Sequence, residues 1–300
     1  MKKHTVISAD GYKLSVHSFE VNNAKAVVQV VHGMEEHQER YETLAKVLNE
    51  QGFTVVTSDM RGHGQTVAKE DLGYFKDKKG YLALLDDQKA ITAFIKKTYK
   101  DLPIYIFAHS MGTIITRVLL QTNSQDYSKV VLSGYPNYQG AAGLGIVIAN
   151  TVKLFHGAKY KSKLIQKMGV GIFNKSIENP KTEVDWVCAN EETVQSYIND
   201  PYCGIGFTVS AFSDLFHLVK LMHKPNSYKN VNKEMPILML RGKDDPCTGG
   251  NDGAADSRQT LSQAGFDNIA YIDYPGMRHE IINEKDNKKV YKDIIDFYNK

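Results

Sequence analysis

Short runs dense in β-branched residues alternate with stretches of helical period along most of this 300-residue chain, and no other feature restricts its fold as tightly. Ala26-Val27-Val28-Gln29-Val30-Val31 and residues 53–58 are nearly continuous apolar runs, the pattern of strands covered on both faces. Between them Tyr41, Leu44, Ala45 and Leu48 recur on one helical face, with Gly52 placed to cap the helix. The alternation continues with a helix through Leu84, Leu85, Ile91, Phe94 and Ile95, a strand at 104–108, a helix at 111–120 and a strand at 130–133. It resumes far downstream with strands at 237–240 and 269–272 and helices at 254–263 and 290–298. Ahead of it, runs at 4–8 and 12–19 flank Asp10-Gly11, a hairpin signal. A hairpin feeding βα units predicts an α/β fold, a mostly parallel sheet with helices on both faces.

The interruption at 135–205 has another character. It opens on Gly140-Ala141-Ala142-Gly143-Leu144-Gly145, holds no clear strand, and carries seven lysines against one acid, Glu178, between residues 150 and 181. It reads as a mainly helical insertion between two parts of one core, 1–134 and 206–300. The 42% hydrophobic and 24% charged residues exclude disordered and coiled-coil classes, and a net charge of only +3 predicts no nucleic-acid partner. Three widely spaced cysteines are an odd number and argue against a disulfide framework or a zinc ribbon, so a reducing compartment is expected. Met1-Lys2-Lys3 is followed by no apolar core or cleavage site, and the longest apolar stretch, 141–155, falls short of the roughly 20 residues a membrane-spanning helix needs. The expectation is a cytoplasmic protein whose mature chain starts at or near Met1.

The chemistry is marked by turns at strand ends. Ala108-His109-Ser110-Met111-Gly112 falls between a predicted strand and a predicted helix, where a serine sits on a sharp turn that lifts its hydroxyl clear of the sheet. His32-Gly33-Met34 ends another strand; taken alone it is an ordinary turn. If the Met34 and Met111 amides converge, however, they form an oxyanion hole, the second helped by the positive end of its helix. Arg241-Gly242-Lys243-Asp244-Asp245-Pro246 and Gly276-Met277-Arg278-His279-Glu280 follow two further strands. Together these turns set Ser, Asp and His in that chain order at the carboxyl ends of separate parallel strands, where open α/β sheets gather their sites.

On four blocks the sequence resembles the monoacylglycerol lipase and lysophospholipase branch of the α/β-hydrolase fold: residues 32–37 with Arg40-Tyr41, Asp59-Met60-Arg61-Gly62-His63-Gly64, Ala108 to Gly112, and Arg278-His279-Glu280 with Asn283-Glu284. The resemblance covers the core strongly and the insertion loosely. It implies an eight-stranded, mostly parallel sheet, a mobile cap after the sixth strand, and a catalytic triad of Ser110, Asp245 and His279. Family spacing selects Asp245 over its neighbour Asp244. It treats His32, His63 and His109 as scaffold. Ala108 departs from the usual glycine, and alanine, the smallest replacement, should leave the turn intact.

These groups permit acyl transfer without any metal or organic cofactor. The expected substrate is a small ester or lipid, in first place a monoacylglycerol or lysophospholipid. A short-chain carboxylesterase, an aminopeptidase or amidase using a cap acid such as Glu178, Glu183 or Asp185, and a non-catalytic binding module are the alternatives. Cap lysines with Leu144, Ile146, Val147 and Ile148 suggest an acyl tunnel or transient contact with an anionic membrane surface, against the plainer reading of solvated helix faces. Trp186 is expected to pack within the cap or to wall the substrate. Oligomeric state is open.

Overall fold

The computed structural model describes residues 1–300, the side chain of residue 66 excepted. The chain opens with the expected hairpin, β1 (Lys2–Ile7) paired antiparallel with β2 (Lys13–Phe19). Then come β3 (Ala26–Val31), α1 (Glu42–Glu50), β4 (Phe53–Ser58), α2 (Gly80–Thr98), β5 (Ile104–His109), α3 (Met111–Asn123) and β6 (Lys129–Ser133). The sheet resumes with β7 (Ile237–Gly242), α8 (Gly250–Gln263), β8 (Ile269–Tyr274) and α9 (Lys288–Asn299). The eight strands lie in the order β1-β2-β4-β3-β5-β6-β7-β8; β2 meets β4 antiparallel, and every later pairing is parallel.

The continuous apolar runs belong to strands buried on both faces, as their pattern requires. Along β3, Val27 and Val31 enter one core with Ile91 of α2 and Ile115 of α3, while Val28 and Val30 enter a second with Leu44 of α1 and Ile294 of α9. Helices therefore cover both faces, and the strand ends between them are free to carry loops.

Between β6 and β7 the described residues contain no strand. It forms α4 (Ala142–His156), α5 (Lys163–Gly169), α6 (Glu191–Asn199) and α7 (Val209–Met222). The alternation of strand and helix signals does not predict α7, which buries Phe212, Leu215 and Leu218 against the α2/α3 side of the core and also packs on α4. Among the described residues, no helix is long and apolar enough to cross a membrane.

The loop after β4 is fastened by a buried ion pair. Arg61, 2% exposed, donates to both Asp87 oxygens at 2.6 Å, and Asp87 is fully buried; the half-exposed Asp10 accepts two longer bonds at 3.1 Å. Removing one partner of a buried pair strands the other, at about 3–5 kcal/mol. Because Asp10 still offers Arg61 a partner, Asp87→Ala is expected near the lower end, a loss of about 3 kcal/mol in urea unfolding.

Candidate active site

Ser110 links β5 to α3 with φ +50° and ψ −121°, a conformation side-chain-bearing residues rarely adopt. Substitution of Ala108 for the usual glycine leaves that turn in place. Gly112 is different: a Cβ there would lie 2.1 Å from the Val31 carbonyl oxygen, so only glycine lets α3 start so close to the end of β3.

His279, in the loop after β8, reaches both partners. Its Nε2 lies 2.7 Å from Ser110 Oγ and its Nδ1 2.8 Å from Asp245 Oδ2. Asp245, just past β7, also accepts from the Cys247 amide at 2.8 Å, which fixes its carboxylate. An ionised carboxylate only accepts, so Nδ1 carries the proton and Nε2 is left to accept from the serine hydroxyl. Asp244 is exposed and takes no part in this chain of bonds. All three linked residues lie under cover, with Ser110 at 8% exposure.

The loop after β3 lies directly beside the serine: a Cβ on Gly33 would be 3.1 Å from Ser110 Cβ. Among the described residues no acceptor takes the Met34 or Met111 amide. His32, His63 and Glu36 are among the side chains that hold this loop. His32 donates from Nδ1 to the Gly33 carbonyl and accepts the Met60 amide at Nε2; His63 accepts the Glu35 amide; Glu36 accepts the Gly33 amide and the Tyr41 hydroxyl. Burial pushes His32 and His63 down to about 3, so both are neutral and can accept. Their scaffold role follows from geometry.

Arg40 and Glu280 lie in the motif blocks, but their positions in the sequence assign them no role. Arg40 binds Glu36 at 2.9 Å and grips both oxygens of Glu280, the residue after His279, at 2.5 and 2.6 Å. The loop bearing Met34 and the loop bearing His279 are thus joined through one guanidinium. The available signal was a cluster of charges inside motif blocks, which becomes informative only once they are known to be buried.

Trp186 packs on Phe173 and also on the His279 imidazole, its ring centroid 4.9 Å from that of His279. Hydrogen bonds between the two segments fix this contact: the Glu280 amide donates to the Val187 carbonyl, the Arg278 guanidinium to the Asp185 and Cys188 carbonyls, and the Ala189 amide to the Glu284 carboxylate. The cap acids considered for amine recognition are placed otherwise. Asp185 accepts from the Lys181 and Thr182 amides, and Glu178 and Glu183 are exposed.

An eight-stranded sheet of this order, with Ser, Asp and His at its carboxyl ends, defines an α/β-hydrolase. The chain belongs to the family described as serine aminopeptidase, S33, whose model matches residues 22–286. It is similar to the monoacylglycerol lipase of Mycolicibacterium smegmatis, 26% identical over 271 residues that cover 90% of this chain and 86% of that protein. It is also similar to the monoglyceride lipase of Homo sapiens, 25% identical over 248 residues, 80% of this chain and 72% of the other. Among solved structures, a thermostable carboxyl esterase from Bacillus coagulans superposes with a TM-score of 0.91 at 26% identity, covering 99% of this chain and 97% of that one.

Proposed function

We propose that this ester hydrolase acts on lipid monoesters of the monoacylglycerol or lysophospholipid type, with Ser110 as nucleophile, His279 as general base and acid, and Asp245 orienting the imidazole. The continuous hydrogen-bonded chain from Asp245 through His279 to Ser110 carries the reading. Ser110 Oγ attacks the ester carbonyl as His279 Nε2 takes its proton. The tetrahedral oxyanion forms against the Met34 and Met111 amides. Collapse breaks the ester C–O bond, and His279 returns the proton to the departing alcohol. Water, deprotonated by the same imidazole, then releases the acid from Ser110.

The cap, read as 135–205, supports a lipid substrate. Leu154 and Phe155 of α4 are 80% and 77% exposed, and Leu144, Val147, Leu164 and Met168 are exposed with them among the cap lysines, an arrangement suited to transient contact with a lipid surface. Leu144 and Val147 therefore face outward, while Ile148 packs against the core. Each methylene buried in an acyl pocket contributes about 0.8 kcal/mol, so kcat/KM is expected to climb up to about four-fold per methylene until the pocket is filled. Esters of graded chain length beside matched amides test this. A maximum at acetyl esters would favour a short-chain esterase, and a preference for amides would favour the aminopeptidase chemistry in the family's description.

The pH profile follows from His279. Burial disfavours its charged form, but the charge and hydrogen bond of Asp245, with Glu280 and Glu36 nearby, outweigh that and hold its pKa above the ordinary 6.5. The base must be neutral. The acid limb of kcat/KM is accordingly expected to have its midpoint above 6.5, activity rising with pH through it; a midpoint below 6.5 would contradict this electrostatic account.

A further inference from the structure

The loop that carries Met34 ends at His37, and the cap ends where α6 runs into Asp200-Pro201-Tyr202-Cys203. That turn is closed by the Cys203 amide donating to the Asp200 carbonyl at 3.1 Å. His37 Nε2 lies 2.8 Å from Asp200 Oδ2, and the donor atoms of His37, Asp200 and Cys203 all fall within 4.8 Å of one another. Cys203 is buried, is not in a disulfide, and makes no hydrogen bond through its sulfur among the described residues.

We propose that His37, Asp200 and Cys203 bind one divalent ion of the zinc type, fastening the oxyanion loop to the end of the cap. One imidazole nitrogen, one carboxylate oxygen and one thiolate sulfur form a mixed donor set that suits a borderline-soft ion, with water in the fourth position. Metal–ligand bonds of about 2.0–2.3 Å place tetrahedral donor atoms about 3.3–3.7 Å apart, so shifts on the order of 1 Å complete the site. Arg40, whose positive charge acts on both Cys203 and Asp200, is already held between Glu36 and Glu280. On binding, the Cys203 thiol gives its proton to solvent, the His37 proton resides on Nδ1, and Nε2 and the facing Asp200 oxygen bind the ion.

The consequence is mechanical. The cap end already rests on the same loop, since the Gly204 amide and the Tyr197 hydroxyl both donate to the Glu35 carbonyl at 3.0 and 3.1 Å. An ion would add a coordinate link across this junction and retard cap opening.

Chelator-treated protein titrated with cobalt(II) provides the test. The expected result is a thiolate-to-cobalt charge-transfer band that saturates at one equivalent, is lost in Cys203→Ser and in Cys203→Ala, and requires at least about ten-fold more metal in His37→Gln. Circular dichroism and an unchanged urea-unfolding midpoint in each variant establish that it is folded. Ser110→Ala should keep the band. No band at about 1 mM cobalt, or a band that survives Cys203→Ser, would overturn the proposal. So would one that vanishes only in Cys247→Ser, because Asp245, Cys247 and His279 form the other donor cluster. None of these outcomes depends on ester hydrolysis, so the site and the catalytic reading fail separately.

Discussion

Ser110→Ala is expected to lower kcat by about a million-fold while leaving the fold intact. The hydroxyl contributes one hydrogen bond, to His279, so its loss costs little stability, but without it no acyl-enzyme forms and the base has no proton to take. In the proposed mechanism the Met34 and Met111 amides remain and would still polarise a carbonyl toward water, which sets the residual rate. Ser110→Gly separates the two properties of this position. It should lose as much activity, yet gain about 1 kcal/mol in urea unfolding, because glycine adopts a φ of +50° without the strain a side chain brings. Equal stability of the alanine and glycine variants would mean that the turn stores no strain.

Asp245→Asn should reduce kcat by about ten-thousand-fold. The replacement is isosteric and can still accept the Cys247 amide, so the turn survives; its NH2 group facing Nδ1 drives the proton to Nε2, which can then no longer accept from Ser110. Removing the carboxylate also removes the main influence that raises the His279 pKa, so the remaining acid limb should move to lower pH. Asp244→Asn, one residue away and exposed, should stay within about two-fold of the parent in kcat. Reversal of these two outcomes would shift the orienting role to Asp244.

What was legible in the sequence was whatever repeats along the chain. The strands β3 and β4 announce themselves because burial on both faces leaves no polar register, and the Ser, Asp and His turns follow because topology sends every parallel strand end to the same edge. Contacts across the fold were not legible. Arg40 and Glu280 are 240 residues apart, and charged residues in sequence default to a solvated surface; only the cover over both side chains reveals a link between the Met34 loop and the His279 loop. Chain order places Trp186 in the cap, yet its contact with His279 depends on bonds from the Arg278 guanidinium and the Glu280 amide that no local pattern encodes. The helix α7 was passed over because its apolar residues face both α3 and α4, which blurs the single stripe by which amphipathic helices are found.

Activation of the proposed nucleophile Ser110 through His279 is open to covalent labelling with a fluorophosphonate, followed by peptide mass mapping. One adduct per chain is expected, located on Ser110 and absent from Ser110→Ala; a labelled Ser110→Ala protein, or an unreactive parent, would overturn the assignment.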